Sequence, residues 1–115
     1  DVFDGYEAHH VIPANFLWKN NLLKELFAQD DINFGYNNLD NLIYIPTEKH
    51  RKNGQRDHGK YNDYIDNLIN TRLADYIMRR EYQDALDELV VIIEEVQERF
   101  KNEVLKPNGI TLDQM

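Results

Sequence analysis

The chemical capacity of this chain is concentrated in four histidines, His9, His10, His50 and His58, all within residues 9–58. Histidine is both a common metal ligand and a general base, because its ordinary pKa of about 6.5 leaves it largely neutral at physiological pH. Two of the four form the adjacent pair His9-His10, which leads directly into Val11-Ile12-Pro13. Neighbours on a strand point to opposite faces, yet a bend or irregular ladder brings such a pair around one site. Hydrolysis of a phosphodiester at a single metal needs a cation to stabilise charge on the phosphate and the leaving oxygen. It also needs a base to deprotonate the attacking water. The pair supplies one side of such a site, and the downstream turns carrying His50 and His58 supply the other. A structural role suits the same residues: His9 as a buried histidine, His10 at the surface, and Asn41 as a turn residue bonding its own backbone.

Around these positions the sequence predicts a set of short elements. Residues 1–13 read as an extended lead. Pro13 lacks a backbone donor and biases Ile12 to extended geometry, which places the histidine pair on a strand or loop. Ala14 to Gln29 has helical spacing in two pieces, broken at Asn20-Asn21. Asp30 to Asp40 is turn-rich, with Gly35 and three asparagines. Leu42-Ile43-Tyr44-Ile45 is an apolar run closed by Pro46, as for a short strand. Thr47 is an expected N-cap for one or two helical turns over Glu48–Asn53, stopped by Gly54. A helix begins near His58 and runs to about Asn70, with Tyr61, Tyr64, Ile65, Leu68 and Ile69 at helical spacing. Leu73, Tyr76 and Ile77 continue it, either as an extension or as a third helix. The final stripe, Tyr82, Leu86, Leu89, Val90, Ile93, Val96, Phe100 and Val104, spans about six turns, most simply as a scaffold. Pro107-Asn108-Gly109 ends it.

Length and composition narrow the possibilities further. The 115 residues fit one domain. With no cysteine, disulfides, thiolate zinc sites and cysteine nucleophiles are excluded, so any metal must rest on histidine, carboxylate, amide or carbonyl groups. No apolar run approaches the roughly 18 residues of a membrane span, and the N-terminus does not resemble a signal peptide. The opening on Asp1 rather than methionine suggests a piece of a longer chain. The net charge of −8 is unusual for a nucleic-acid binder. Its distribution is uneven, however. Lys49, Arg51, Lys52, Arg56 and Lys60 face only Asp57 over residues 49–60, a local +4, whereas Asp84–Glu103 holds seven acids against Arg99 and Lys101. Screening beyond about 8–10 Å lets such a basic turn hold phosphate on an acidic domain. The acidic stretch reads most simply as a solvated helix face.

Glu7-Ala8-His9-His10-Val11-Ile12-Pro13 resembles the signature of the AHH nucleases, a branch of the HNH/endonuclease VII superfamily. The resemblance continues through Phe16-Leu17, Asn21-Leu22-Leu23-Lys24 and Asp31-Ile32-Asn33. Asn41-Leu42-Ile43-Tyr44-Ile45-Pro46 is similar to that family's central asparagine, strand and proline, and His58-Gly59-Lys60-Tyr61-Asn62 to its closing His-x-x-Tyr block. The departures are Leu42 and Gly59, where glycine and proline are common, and the eight-residue separation of His50 and His58 in place of about four.

The resemblance implies a small ββα-metal (His-Me) finger over residues 5–70; helical periodicity adds a helical scaffold over 71–106 with a long C-terminal amphipathic helix, and a tail over 107–115, so the expected fold is α+β and mostly helical. The resemblance also implies one divalent metal ion (Mg2+, Mn2+, Ni2+ or Zn2+) on His9 and His58, with His50 as a further candidate ligand. His10 would be the general base, and Asn41 would tie down the intervening loop and orient His10. Arg51, Lys52, Arg56 and Lys60 are the expected phosphate contacts. The expected activity is endonucleolytic cleavage of DNA, by a toxic module translocated as part of a larger bacterial toxin into a target-cell cytoplasm and countered by a cognate immunity protein. RNA is an alternative substrate, since no base-reading motif is evident. A non-catalytic alternative has the histidines hold a structural metal while the long helix serves as an interaction surface.

Overall fold

A computed structural model describes residues 6–34, 41–46 and 59–115. The expectations for Thr47 to Gly54, and those for His50, Arg51, Lys52, Arg56 and His58, lie outside the described residues. In chain order the elements are β1 (Tyr6–His10), α1 (Phe16–Lys19), α2 (Asn21–Phe27), β2 (Leu42–Pro46), α3 (Gly59–Met78) and α4 (Tyr82–Arg99). A π-helical turn (Phe100–Val104) and a 3-10 turn (Leu112–Gln114) follow. The fold is α+β and mostly helical, with a small two-stranded antiparallel sheet.

The strands pair in regular register, Tyr6 with Pro46 through His9 with Ile43 to His10 with Leu42. The break between α1 and α2 falls at Asn20, whose backbone is extended and whose Oδ1 accepts from the Leu23 amide at 3.0 Å, capping α2. This buried side chain does a second job. Its Nδ2 donates to Asp66 Oδ1 at 2.7 Å and Asn70 Oδ1 at 3.1 Å, fastening the α1–α2 corner to α3.

α3 settles the open choice over residues 71–77 as an extension of one helix. Tyr61, Ile65, Ile69, Leu73 and Ile77 are all buried at four-residue spacing, and no proline or glycine interrupts them. Its end is a Schellman motif without glycine. Arg80 is left-handed (φ 58°), Glu81 N donates to Tyr76 O at 2.8 Å, and Arg80 N to Ile77 O at 3.0 Å.

The α4 stripe differs from the sequence reading at three positions. Leu89, Ile93, Val96, Phe100 and Val104 are buried and Tyr82 and Leu86 are partly so, but Val90 is 41% exposed. At about 100° per residue Val90 falls to the side of the buried arc, while Ala85 and Ile92, absent from the expected stripe, fall inside it. α4 packs on α3. Arg72 crosses between them, its Nε 2.7 Å from Glu88 Oε2 and its two terminal nitrogens 2.6 and 3.0 Å from the Glu95 carboxylate. On α4's other side the Tyr82 hydroxyl donates to Glu25 of α2 at 2.7 Å, and this bond holds the Tyr82 pKa above its ordinary value.

Residues expected as a tail fold back onto the body. Leu112 is buried, and the 3-10 turn packs against α3. The reversal depends on Gly109, where an added Cβ would lie 2.5 Å from Val104 O and 2.6 Å from Glu103 O. Ile110 N then closes on Glu103 O at 2.7 Å. One apolar cluster joins Val11 and Ile12, α1 and α2, α3, α4 and Leu112.

Candidate active site

Val11 and Ile12 are both fully buried, so the chain leaves its two-residue alternation immediately after His10. Their backbone groups must therefore find partners inside the protein. Asn41, also fully buried, supplies three of them. Its carbonyl accepts from Val11 N at 2.9 Å, its Oδ1 accepts from Ile12 N at 2.8 Å, and its Nδ2 donates to Ile12 O at 3.2 Å. The fourth group, Val11 O, accepts from the Tyr61 hydroxyl at 2.7 Å. The segment following His10 is thus held by Asn41 at the start of β2 and by the first turn of α3.

The two histidines of the pair occupy different settings. The register continues through both without a bulge, so the pleat sends them to opposite faces. His9 points to the core and is 4% exposed, its Nε2 buried. Its ring meets Tyr61 edge-on at 4.7 Å and 72°, and Phe100 edge-on at 5.5 Å and 71°. His10 is half-buried at the end of the strand, on the face shared with Leu42 and Tyr44. The bend entertained as a way to bring both imidazoles to one face is not what the strand pair shows.

Tyr61 is a donor here, not a base. Burial, and secondarily the neighbouring Tyr64, push its pKa well above the ordinary tyrosine value, so the hydroxyl keeps its proton. Lys60 is exposed in the first turn of α3. His58, one residue ahead of that helix, and His50, Arg51, Lys52 and Arg56 lie outside the described residues. Among the described residues no three His, Cys, Asp or Glu side chains group to hold a metal. The donor chemistry present is imidazole, which suits zinc, nickel, iron or copper. The His9 ring packs edge-on against both Tyr61 and Phe100.

Two residues outside the expected set reach the same strands. Phe100 touches His9, and Gln97 Nε2 donates to Leu42 O at 3.3 Å. In the sequence Phe100 was visible only as a member of an apolar stripe, and Gln97 carried no signal. No helix among the described residues is long and apolar enough to cross a membrane.

The model of one protein family, described as AHH, a nuclease family of the HNH/ENDO VII superfamily with conserved AHH, matches residues 3–100. No curated protein and no solved structure matches the chain.

Proposed function

The chain belongs to the AHH family of nucleases within the HNH/endonuclease VII superfamily, and from that premise we propose that it is a metal-dependent endonuclease acting on DNA. The observation that carries the division of labour is the difference in burial across the histidine pair, which the pleat sends to opposite faces, so that one bound phosphate would have to reach both around the end of β1. A base that takes a proton from water needs access to solvent, and His10 has it at the end of β1. A group that holds a cation needs a fixed orientation, and His9 is buried between two aromatic rings. His58 joins His9 as ligand, and His50 is a further candidate. Their place in the chain supports this, since His58 directly precedes the helix whose Tyr61 packs on His9. A divalent ion bound there would stabilise charge on the phosphate and leaving oxygen. His10 accepts the proton of the attacking water, and Asn41 keeps the backbone beyond His10 from shifting. Arg51, Lys52, Arg56 and Lys60 hold the phosphate backbone against the domain's overall negative charge.

The test is digestion of plasmid, with tRNA in parallel, in Mg2+, Mn2+, Ni2+ or Zn2+. Cleavage of plasmid ahead of tRNA is expected, and no cleavage of either with any of the ions discards the nuclease reading for this chain. His10→Ala is expected to lower cutting about 100-fold or more while metal binding is retained. Parent-level cutting by that variant would remove His10 from the base role. We extend this proposal to the role of a bacterial competition effector that works in a target-cell cytoplasm, as the AHH signature of Ala8-His9-His10 led us to expect. A cognate immunity protein is the corresponding partner, and protection of a host co-expressing the neighbouring open reading frame is the measurement that checks it.

A further inference from the structure

A lone imidazole on a strand turns about its outer side-chain bond with a broad, roughly two-fold preference, so something beyond the strand must fix it. Three rings meet at this point in the fold. The ring centroid of His9 lies 4.7 Å from that of Tyr61 and 5.5 Å from that of Phe100, and the Tyr61 and Phe100 centroids are 6.0 Å apart. Both aromatic rings are fully buried. Tyr61 is anchored at its far end through the hydroxyl bond to Val11 O, two residues along the same strand end. Phe100 has no polar handle, so its ring is placed by the backbone that carries it and by packing against its neighbours.

That backbone is irregular at this residue. α4 gives way at Phe100 to a π-helical turn, closed by Leu105 N donating to Phe100 O at 2.9 Å, a bond five residues long where an α-helix uses four. Such single turns occur frequently at functional sites, where they shift one face of a helix relative to the turns before it. Three residues earlier, Gln97 bonds Leu42 O on β2, the strand partner of His10. The end of α4 therefore grips both strands of the small sheet, one by a hydrogen bond and the other by a ring on the buried histidine.

We propose that Phe100 is a positioning residue for His9, and that the π-helical turn exists to seat its ring against the imidazole. This rests on the reading of His9 as a metal ligand. Tyr61 and Phe100 together hold the ring in one plane before a metal ion arrives, so less freedom is lost when the ion binds. Hydrogen-bonded partners that orient a ligating histidine commonly contribute about 10–100-fold in metal affinity, and a packing contact that fixes the ring is expected at the lower end of that range.

The test combines Zn2+ and Ni2+ titration calorimetry, urea unfolding and NMR on the whole domain. Phe100→Leu keeps apolar bulk and removes the ring, whereas Phe100→Tyr keeps the ring. Leu89→Ala weakens the same helix in its buried face without being among the rings on His9. The expected result is a loss of metal affinity of about 10-fold or more in Phe100→Leu. Phe100→Tyr should restore parent affinity, and Leu89→Ala should keep it despite lower stability. Equal affinity in Phe100→Leu and parent, or an equal loss in Leu89→Ala, overturns the proposal. In the unsubstituted protein, cross-relaxation between the His9 ring protons and the Phe100 ring should be present without metal and unchanged with it. Its absence, or a reoriented His9 ring on metal addition, overturns the proposal even if Phe100→Leu fails to fold. A parent that neither binds these ions nor cuts nucleic acid instead overturns the function proposed above.

Discussion

Replacing Asn41 with alanine removes the clamp on the segment that follows His10, and the structure sets the size of the loss. Two buried backbone groups of Ile12, the N–H at 2.8 Å and the C=O at 3.2 Å, lose their partners together. A buried polar group left unsatisfied costs about 1–3 kcal/mol, so the pair costs about 2–6 kcal/mol. Against a typical domain stability of about 5–15 kcal/mol this is a large fraction. With a urea slope of about 2 kcal/mol per molar, the middle of the usual range, the unfolding midpoint should fall by about 1–3 M. Asn41→Asp sharpens the test because it keeps the acceptor for Ile12 N and replaces the donor to Ile12 O. An ionised carboxylate there is buried and faces a carbonyl oxygen, so the folded protein favours its protonated form and the pKa of the introduced group rises above the unfolded value of about 3.9. A raised folded pKa contributes stability below the unfolded pKa that is lost as pH rises through the folded one. The Asn41→Asp deficit should therefore be largest at neutral pH and shrink in mild acid. Urea melts across that range are the assay, with plasmid nicking measured at a temperature where each variant is folded. A midpoint shift for Asn41→Ala below about 0.3 M would refute the clamp as a stabilising device. Parent-level nicking by the folded variant would refute its service to His10.

Three further outcomes follow from single contacts. Tyr61→Phe keeps the ring on His9 and deletes the 2.7 Å bond to Val11 O, and should cost about 1–3 kcal/mol in urea unfolding while metal affinity stays near that of the parent. Arg80→Gly relieves a left-handed residue whose strain is about 1–2 kcal/mol, partly offset by glycine's unfolded-state entropy of about 0.5–1 kcal/mol, so a small rise in melting temperature is expected. Arg72→Met removes the bridge from α3 to Glu88 and Glu95 of α4. The hydrogen bond from Arg72 holds the Glu95 pKa below its ordinary value. That contribution is present above the unfolded carboxylate pKa and is lost as pH falls through the lowered one. The gap in melting temperature between parent and Arg72→Met should therefore narrow in acid.

The elements that could be read in the sequence are those set by local chemistry. Asn20 caps a helix with its own side chain, Pro46 closes a strand, and the four-residue spacing of Tyr61, Ile65 and Ile69 continues without a breaker into Leu73 and Ile77. Arg80 shows the limit, since a left-handed cap without glycine carries no compositional mark. Val90 and Ile92 differ from the expected stripe for a related reason: periodicity identifies an apolar helix but fixes its buried arc only to within a residue or so. The site divides in the same way. That His9-His10 lies on a strand or loop rather than in a helix was legible from Pro13. That the strand keeps its register through both histidines, and so parts them, depends on pairing with Ile43 and Leu42 more than thirty residues away.

The C-terminal helix is where this distinction matters most for function. Read by its stripe, it is a scaffold, and most of its length packs as one against α3. Its last turn departs from that role, because Gln97 reaches the backbone of β2 and Phe100 reaches the ring of His9. Neither contact has a sequence signature, since an apolar residue in a stripe looks the same whether it meets a leucine or an imidazole. The consequence is energetic as well as geometric. Among the described residues the sheet is two strands wide, a size with marginal stability of its own. Fixing its two histidines therefore falls to what lies outside it: Asn41 for the chain beyond His10, Tyr61 and Phe100 for the ring of His9. A strand pair this small can hold reactive side chains in place only while α3 and α4 are folded against it, which couples the integrity of the site to that of the helices.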